Sequence, residues 1–272
     1  MTDEEFLKHI MPDIEEHFIQ NNRPVIIAQG YEWFREIITL YAKQHNLLEA
    51  AILLMDNGMN EEAIILARSA MNNYFLIGYL LNDDTDRIHL KEFYVQPLIS
   101  RRYFLKNINK MINGPFGEMM QQEGDQLSLS VSDIKNERRE IENQIKAKGF
   151  LINERPLSIL KLAQESDKQG FDLYSMYYAD ASKFEHSDIS SLNIYKTPID
   201  EETPINNAFI MDLNRTDENL KEKIYSIFTI CYLDSFIKIA SVIANKEPQL
   251  QVNYNINKLT EMIYKTLAFI KG

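Results

Sequence analysis

The stretch EEAIILARSAMNNYFLIGYLL, residues 61–81, decides the fold of this chain. Two glutamates open it, where the positive end of a helix dipole favours negative charge, and Asn60 precedes it as the predicted N-cap. Its apolar residues fall on nearly every side of the helix instead of on a single stripe. A helix without a polar face must be surrounded by others, so the pattern predicts the central helix of an all-α multi-helix bundle.

The segments on either side are predicted to be further helices, about eight to nine in all. The chain has only 9 Gly and 8 Pro, too few for an architecture of many strands and turns. We expect one domain over residues 1–272, with its core at about 24–245, and a short strand within 208–213. The other predicted helices cover 2–20, 24–57, 85–113, 132–148, 156–169, 171–186, 216–247 with Thr216 as N-cap, and 255–270.

The segment 132–148 differs from the other helices in its composition. It is densely charged, and its apolar residues Ile134, Ile141 and Ile145 form only a thin stripe. We therefore expect a peripheral helix or a projecting arm. Such an arm, together with the large apolar helices, is consistent with a homodimer.

Charge and composition disfavour several classes of protein. The formal net charge of −11 argues against broad binding to DNA or to an anionic membrane, because both surfaces are negative. A short basic row, Arg102, Lys106 and Lys110, is interpreted as a solvated face. Cys231 is the only cysteine, so neither a disulfide framework nor a cysteine zinc site is expected. The acidic N-terminus lacks the positive region of an export signal, so we expect a cytoplasmic protein.

Residues 224–244 could form either a membrane-spanning helix or a buried helix of a soluble protein. The stretch is apolar and long enough to span a bilayer. It contains Asp234 and Lys238, which are spaced to pair along one helix face, and an isolated span that carries both would be costly. We therefore predict a buried central helix and no membrane partner.

Two of the predicted helices carry polar residues at a spacing of four, which places them on neighbouring turns. One row consists of Tyr174, Tyr178, Ser182 and His186. On the central helix, Arg68 interrupts an apolar run and Asn72 follows it one turn later, with Ser69 beside them. A guanidinium in a buried helix needs an acceptor or a water pocket, because burial of an unpaired charge is strongly unfavourable. The hydroxyls and the neutral imidazole of the row can supply such an acceptor.

We interpret the two rows as facing each other across a pocket, in which Arg68 holds an anion and His186 carries a proton. The predicted binding residues are Arg68, Ser69, Asn72, Tyr178, Ser182 and His186. The alternative interpretation is a satisfied polar network that fixes helix register, or a His186 that is simply exposed near the C-terminus of its helix.

The same two segments resemble a bacterial helical family called domain of unknown function 5677, over roughly residues 46–195. That family pairs a Leu-Ala-Arg-Ser helix with a later Tyr…Ser-x-x-x-His-Ser segment. Its polar positions correspond to Arg68, Ser69, Tyr178, Ser182, His186 and Ser187, so the resemblance adds Ser187 to the predicted binding residues. The chain departs from the pattern at Asn72, where the family tends to have glutamate. This departure weakens any mechanism that needs a base or a metal ligand there.

These observations predict a binding or regulatory protein whose pocket would suit a small anionic ligand or RNA. One alternative is a ribonuclease of the HEPN type, acting as a toxin or antiphage effector with Arg68 and His186 as catalytic residues. The usual order of Arg several residues before His on one helix is absent. The other alternative is a structural assembly protein without a site. We expect no metal site and no cofactor, because the chain lacks a His-Glu-x-x-His motif and a phosphate-binding glycine loop.

Overall fold

The computed structural model describes residues 1–20, 23–83, 85–115, 117, 131–152, 155–186, 188–199, 209–212, 216–247, 250 and 254–272. Over these ranges the chain is almost entirely helical, which confirms the predicted all-α fold class. Its contacts group into a larger unit, Met1–Asn82 with Ile159–Gly272, and a smaller unit, Asp83–Ser158. The single domain over residues 1–272 stays a prediction.

The described helices are named here in chain order. They are α1 (Asp3–Ile14, continued by a π-helical turn Glu15–Ile19), α2 (Glu32–Asp56), α3 (Asn60–Leu81), α4 (Ile88–Ile112), α5 (Val131–Ala147), α6 (Ile159–Ser166), α7 (Lys168–Leu173, a π-helical turn Tyr174–Tyr178, then Ala179–Glu185), α8 (Ile189–Leu192), α9 (Glu218–Phe228, a π-helical turn Thr229–Asp234, Ser235–Ser241, and a π-helical turn Val242–Lys246) and α10 (Ile256–Lys271).

A short hairpin lies between α8 and α9. Strand β1 (Lys196–Pro198) pairs antiparallel with β2 (Phe209–Met211), and Thr197 lies opposite Ile210. The sequence predicted the second of these strands. It did not predict the first, because three residues with a proline are too short to show a strand pattern. Most of the segment between the predicted helices 85–113 and 132–148 lies outside the described residues.

Helix α3 is the centre of the larger unit, as its apolar pattern predicted. It packs against α2, α6, α7 and α9. Side chains on different faces of the helix are fully buried, among them Ile64, Ala70, Ile77 and Tyr79. Since the helix is buried on several sides and contacts four neighbours, the positions of those four helices depend on this one.

The predicted start of α2 at Pro24 was wrong, because the helix begins at Glu32. Gly30 has a φ of +89°, a left-handed conformation that a helix cannot continue through. Its backbone N–H donates to the Glu32 carboxylate at 3.1 Å. By contrast, the Thr2–Glu5 capping box at the start of α1 is confirmed, with both reciprocal hydrogen bonds present.

The caps predicted at Asn60 and Thr216 were also wrong, for a tertiary reason. The N-cap residues are Met59 for α3 and Asp217 for α9. Asn60 Nδ2 donates instead to the Asp217 carbonyl at 3.1 Å, and Thr216 Oγ1 donates to the Glu61 carboxylate at 2.7 Å. The Asp217 N–H also donates to Glu61, at 2.8 Å. These polar residues therefore join the starts of two helices, where a sequence pattern shows only local caps.

Two helices of the larger unit, Asn60–Leu81 and Glu218–Lys246, have the length and the apolar composition of membrane spans. More than half of the most apolar window of each is buried inside the protein. Asp234 and Lys238 form the predicted ion pair along α9. Both helices thus use their apolar residues for contacts within the chain, as expected of core helices.

In the smaller unit, α5 packs on α4 through the stripe that the sequence indicated. Ile134, Ile141 and Ile145 are buried in one apolar cluster with Val95 and Ile99 of α4. Outside the cluster, Arg101 Nε donates to the Glu137 carboxylate at 2.7 Å and links the two helices at their surface. The thin apolar stripe is therefore a helix–helix interface.

A close approach between α3 and α6 gives a test of the packing. A Cβ added at Gly78 would lie 2.7 Å from Ser166 Cβ. We expect Gly78→Ala to lower the free energy of unfolding by about 1–2 kcal/mol, because overpacking outweighs the better helix propensity of alanine. In a Ser166→Gly background this loss should disappear, as measured by urea denaturation of the four proteins in the cycle. An equal loss in both backgrounds would contradict the proposed contact.

Candidate functional site

Arg68 lies on α3 and is held by side chains from α7. Its Nε donates a hydrogen bond to Ser182 Oγ at 2.9 Å, and its Nη1 forms an ion pair with Glu185. Its guanidinium also lies over the Tyr178 ring, 4.8 Å from the ring centroid. The Arg68 side chain is 13% exposed. The charge that interrupts the apolar helix is therefore satisfied by three residues of one neighbouring helix.

Contacts within α7 and with Phe75 of α3 orient Ser182 and Tyr178 towards Arg68. Ser182 Oγ donates to the Tyr178 carbonyl at 2.7 Å, which leaves its oxygen lone pairs free to accept from Arg68. Tyr178 stacks on Tyr174 with ring centroids 5.0 Å apart, and Phe75 of α3 lies 6.2 Å from each ring. Burial raises the pKa of Tyr178, although Arg68 and a hydrogen bond from Asn72 oppose the shift. The phenol is therefore neutral beside the guanidinium.

Glu185 is the functional residue that the sequence analysis missed. It supplies the carboxylate for Arg68, and its side chain is 38% exposed. The signal was present, because Glu185 follows Ser182 by three residues and so lies on the same face of α7. The acceptors predicted for Arg68 were hydroxyls, the imidazole and a bound anion, whereas its charged partner is a carboxylate at the end of the helix.

His186 lies at the C-terminal cap of α7, where its backbone N–H donates to the Ser182 carbonyl at 3.0 Å. Its side chain is 71% exposed. Its Nε2 lies 3.6 Å from the carboxylate oxygen of Glu185 that also pairs with Arg68. The helices of Arg68 and His186 thus face each other, and one carboxylate separates the two side chains.

Of the other predicted binding residues, Ser69 bonds within its own helix, Asn72 reaches α7, and Ser187 is not described. Ser69 donates to the Ile65 carbonyl of its own helix at 3.2 Å, so it is engaged within α3. Asn72 lies one turn after Arg68 and reaches Tyr178. Its Oδ1 is buried and has no hydrogen-bond partner among the residues described. Ser187 lies outside the described residues.

A second polar cluster joins α9 to α3 and α7. Lys238 Nζ pairs with the carboxylates of Asp234 and Asp167, and it also donates to Tyr74 Oη at 3.2 Å. Tyr74 Oη in turn donates to Asp234 at 2.8 Å. Burial alone would lower the pKa of Lys238, but the two carboxylates outweigh it and raise the pKa. The sequence predicted only the pair within α9, since Asp167 and Tyr74 come from distant segments.

A third cluster lies where the π-helical turn after α1 meets α2. Glu15, His45 and Glu49 each offer one potential ligand atom, and these atoms lie within 4.8 Å of one another. His45 is only 4% exposed, and its Nδ1 lies 2.7 Å from Tyr232 Oη. Burial lowers the pKa of His45, and the nearby carboxylates of Glu49 and Glu15 oppose this only in part. The imidazole is therefore neutral at pH 7.

The smaller unit contains a basic cavity of about 260 Å³. Its lining residues are Arg102, Tyr103, Lys106, Arg138, Glu142, Ile152 and Arg155. Arg102 is buried, so the interpretation of the basic row as a solvated face is wrong for that residue. Lys106 lies over the Tyr103 ring, 5.9 Å from its centroid, and Arg138 donates to Glu142 at 2.8 Å. The cavity concentrates positive charge in a protein that is acidic as a whole.

The residues around Arg68 lie within a region of the chain that matches a known protein family. A family described as being of unknown function, DUF5677, matches residues 36–202. The chain belongs to DUF5677. The matched region contains Arg68, its partners on α7 and His186, and it confirms the resemblance found from the sequence. No curated protein and no solved structure matches the chain significantly.

The Lys238 cluster makes a prediction for stability and its pH dependence. Lys238→Met leaves Asp234 without its partner in a largely buried site, and we expect a loss of about 2–3 kcal/mol in the free energy of unfolding at pH 7. The matched control is Lys183→Met, which removes an exposed pair with Asp180 and should cost less than about 1 kcal/mol. Equal losses in the two variants would contradict this account.

The sign of the pH effect follows from the raised pKa of Lys238. The stabilisation is fully present below the ordinary lysine pKa of 10.5 and is lost as the pH rises through the higher pKa of the folded protein. The difference between wild type and Lys238→Met should therefore be constant from about pH 7 to 10 and shrink above pH 10.5. Urea denaturation at each pH measures this difference.

Proposed function

We propose that this DUF5677 protein is a helical binding or regulatory protein, and that Arg68 takes a small anion between α3 and α7. A guanidinium offers several N–H donors in a planar fork that matches a carboxylate or a phosphate. Arg68 is fixed by aromatic packing on both helices, so little side-chain entropy remains to be lost when an anion binds.

The observation that carries the proposal is the identity of the charged partner of Arg68. Glu185 is more exposed than Arg68, so it approaches the buried guanidinium from the solvent side. An external carboxylate or phosphate would make the same charge-assisted hydrogen bonds that Glu185 makes. On this proposal Glu185 takes the place of the ligand, and an anion from solution must displace it.

Asn72 narrows the class of ligand. Its Oδ1 is a buried acceptor without a hydrogen-bond partner among the described residues, which is unfavourable unless water or a ligand supplies a donor. A ligand that combines an anionic group with a hydroxyl or amino donor would satisfy both Arg68 and Asn72. The monoprotonated form of phosphate is the simplest such molecule.

Displacement of Glu185 gives the site a regulatory consequence. Glu185 is the last helical residue of α7, and its ion pair holds that end of the helix against α3. A ligand that takes Arg68 removes this tether and alters the connection towards α8. The ligand therefore shifts the equilibrium between a tethered and a released end of α7.

Thermal unfolding in inorganic phosphate tests the proposal, with sodium chloride at matched ionic strength as the reference. At about tenfold above its Kd, phosphate should stabilise the wild type by about 1.4 kcal/mol, a rise of about 3 °C in Tm. Arg68→Ala should abolish the rise. Glu185→Gln should bind phosphate more tightly than the wild type, because it removes the internal competitor.

Arg155→Ala is the matched control, since it removes a cation from the basic cavity of the smaller unit. The phosphate response should survive in this variant. A response that is lost in Arg155→Ala and kept in Arg68→Ala would assign the anion to the cavity and overturn the proposal. Equal affinity of Glu185→Gln and wild type would reject the competition by Glu185.

A ribonuclease is the second candidate function, and one observation favours it. Arg68 and His186 both approach the same carboxylate oxygen of Glu185. If that carboxylate moved aside, Arg68 would hold an RNA phosphate and His186 would remove the proton of the ribose 2′-hydroxyl as general base. The acidic protein would bind RNA locally at this site, without a broad nucleic-acid surface.

Expression in a bacterial host tests the ribonuclease. The wild type should slow growth and cleave RNA after purification, and Arg68→Ala and His186→Ala should each abolish both effects while remaining folded. His17→Ala, which changes a histidine outside this site, should behave as the wild type. Absence of cleavage by the wild type, or unchanged toxicity of both variants, would reject this function.

A further inference from the structure

The cluster of Glu15, His45 and Glu49 lies apart from the Arg68 site and has no role in the proposed function. His45 and Glu49 are four residues apart on α2, so they lie on neighbouring turns of one face. Glu15 comes from the π-helical turn that follows α1. Turns of this kind are uncommon and often occur at functional sites. The cluster thus brings two carboxylates and one imidazole from two elements to one place.

The imidazole of His45 has a fixed orientation. Its Nδ1 lies 2.7 Å from Tyr232 Oη, and the Tyr232 ring stacks on Tyr41 with centroids 5.1 Å apart. All three side chains are buried. Histidines that bind metals usually donate the hydrogen of their other ring nitrogen to an oxygen acceptor, which sets the tautomer. Tyr232 can play this part and leaves the Nε2 lone pair directed to the cluster.

The other ring nitrogen is the unusual feature. His45 Nε2 is buried and makes no hydrogen bond to any of the residues described. The Glu15 carboxylate oxygen lies 3.9 Å from it, too far for a hydrogen bond. A lone pair this close to two carboxylates is repelled by both unless a positive charge lies between them.

We propose that Glu15, His45 and Glu49 bind a divalent transition-metal ion, with water completing its coordination. One imidazole and two carboxylates form a ligand set that suits Zn²⁺ and its neighbours in the first transition series. Bonds of about 2.0–2.2 Å require the ligand atoms to move closer together than they lie here. Glu15 is partly exposed and Glu49 is exposed, so the Glu49 side chain has room to rotate onto the ion.

The ion would connect the N-terminal helix to the core of the larger unit. Glu15 anchors the end of α1, and His45 and Glu49 anchor the middle of α2, so one ion links two elements. The sequence predicted no metal site because no short segment of the chain contains a complete set of metal ligands. His45 and Glu49 have helical ligand spacing, but the third ligand lies 30 residues earlier in the chain.

Calorimetric titration of the metal-stripped full chain with Zn²⁺ tests the proposal. The wild type should bind one ion per chain, and Zn²⁺ should raise its Tm. Glu49→Gln keeps the size of an exposed side chain and should weaken binding by about tenfold or more. His45→Ala should abolish binding, and Tyr232→Phe should weaken it by about tenfold while circular dichroism shows an intact fold.

The controls separate this site from surface binding and from the Arg68 site. Glu16→Gln and His17→Ala change a carboxylate and an imidazole next to Glu15, and both should bind Zn²⁺ as the wild type does. Arg68→Ala should also bind normally. Failure of the wild type to bind, or binding that survives Glu49→Gln and is lost in His17→Ala, would overturn the metal site and leave the anion site untouched.

Discussion

Arg68 places a guanidinium inside a helix that is enclosed by its neighbours, and its need for acceptors constrains the larger unit. Helix α3 packs against α2, α6, α7 and α9, so solvent cannot solvate the charge from most directions. An unpaired buried charge would be strongly unfavourable. One neighbouring helix must therefore present hydrogen-bond acceptors opposite the guanidinium. Helix α7 does so with Ser182, Glu185 and the face of Tyr178. The same contacts therefore set the register between the two helices and define the candidate site.

The position of His186 shows how helix geometry limits such a site. Residues four apart on an α-helix are rotated by about 40° relative to each other, so a row spaced by four drifts around the helix. The π-helical turn Tyr174–Tyr178 changes the phase at the start of the row. Ser182 still faces Arg68, whereas His186, one step later and at the cap, lies in solvent. Glu185, at a spacing of three from Ser182, compensates the drift and reaches the guanidinium.

Local sequence patterns predicted the helices and the contact of α3 with α7. Hydrophobic periodicity and a charged residue within an apolar run are both visible in a single sequence. The facing of α3 and α7 followed from Arg68 and the row of hydroxyls. Patterns could not show which polar residues serve a distant partner. Asn60 and Thr216 have the composition of caps and instead join two helix starts. The proximity of Glu15 to His45 is equally invisible in the sequence, because it is created only by the packing of the π-helical turn on α2.

The resemblance to the family implies a glutamate at position 72, where this chain has Asn72. A glutamate there would lie one turn after Arg68 on α3, at a spacing suited to an ion pair within the helix. Asn72 instead lies beside Tyr178 and supplies no charge. The carboxylate comes from Glu185 across the helix interface, where it is attached to the end of α7. A carboxylate on α3 would pair with Arg68 for any position of α7. A carboxylate on α7 pairs with Arg68 only when the C-terminal end of α7 lies against α3. With Glu185 as its partner, the ion pair of Arg68 connects two helices, which is the property that the proposed anion-controlled site requires.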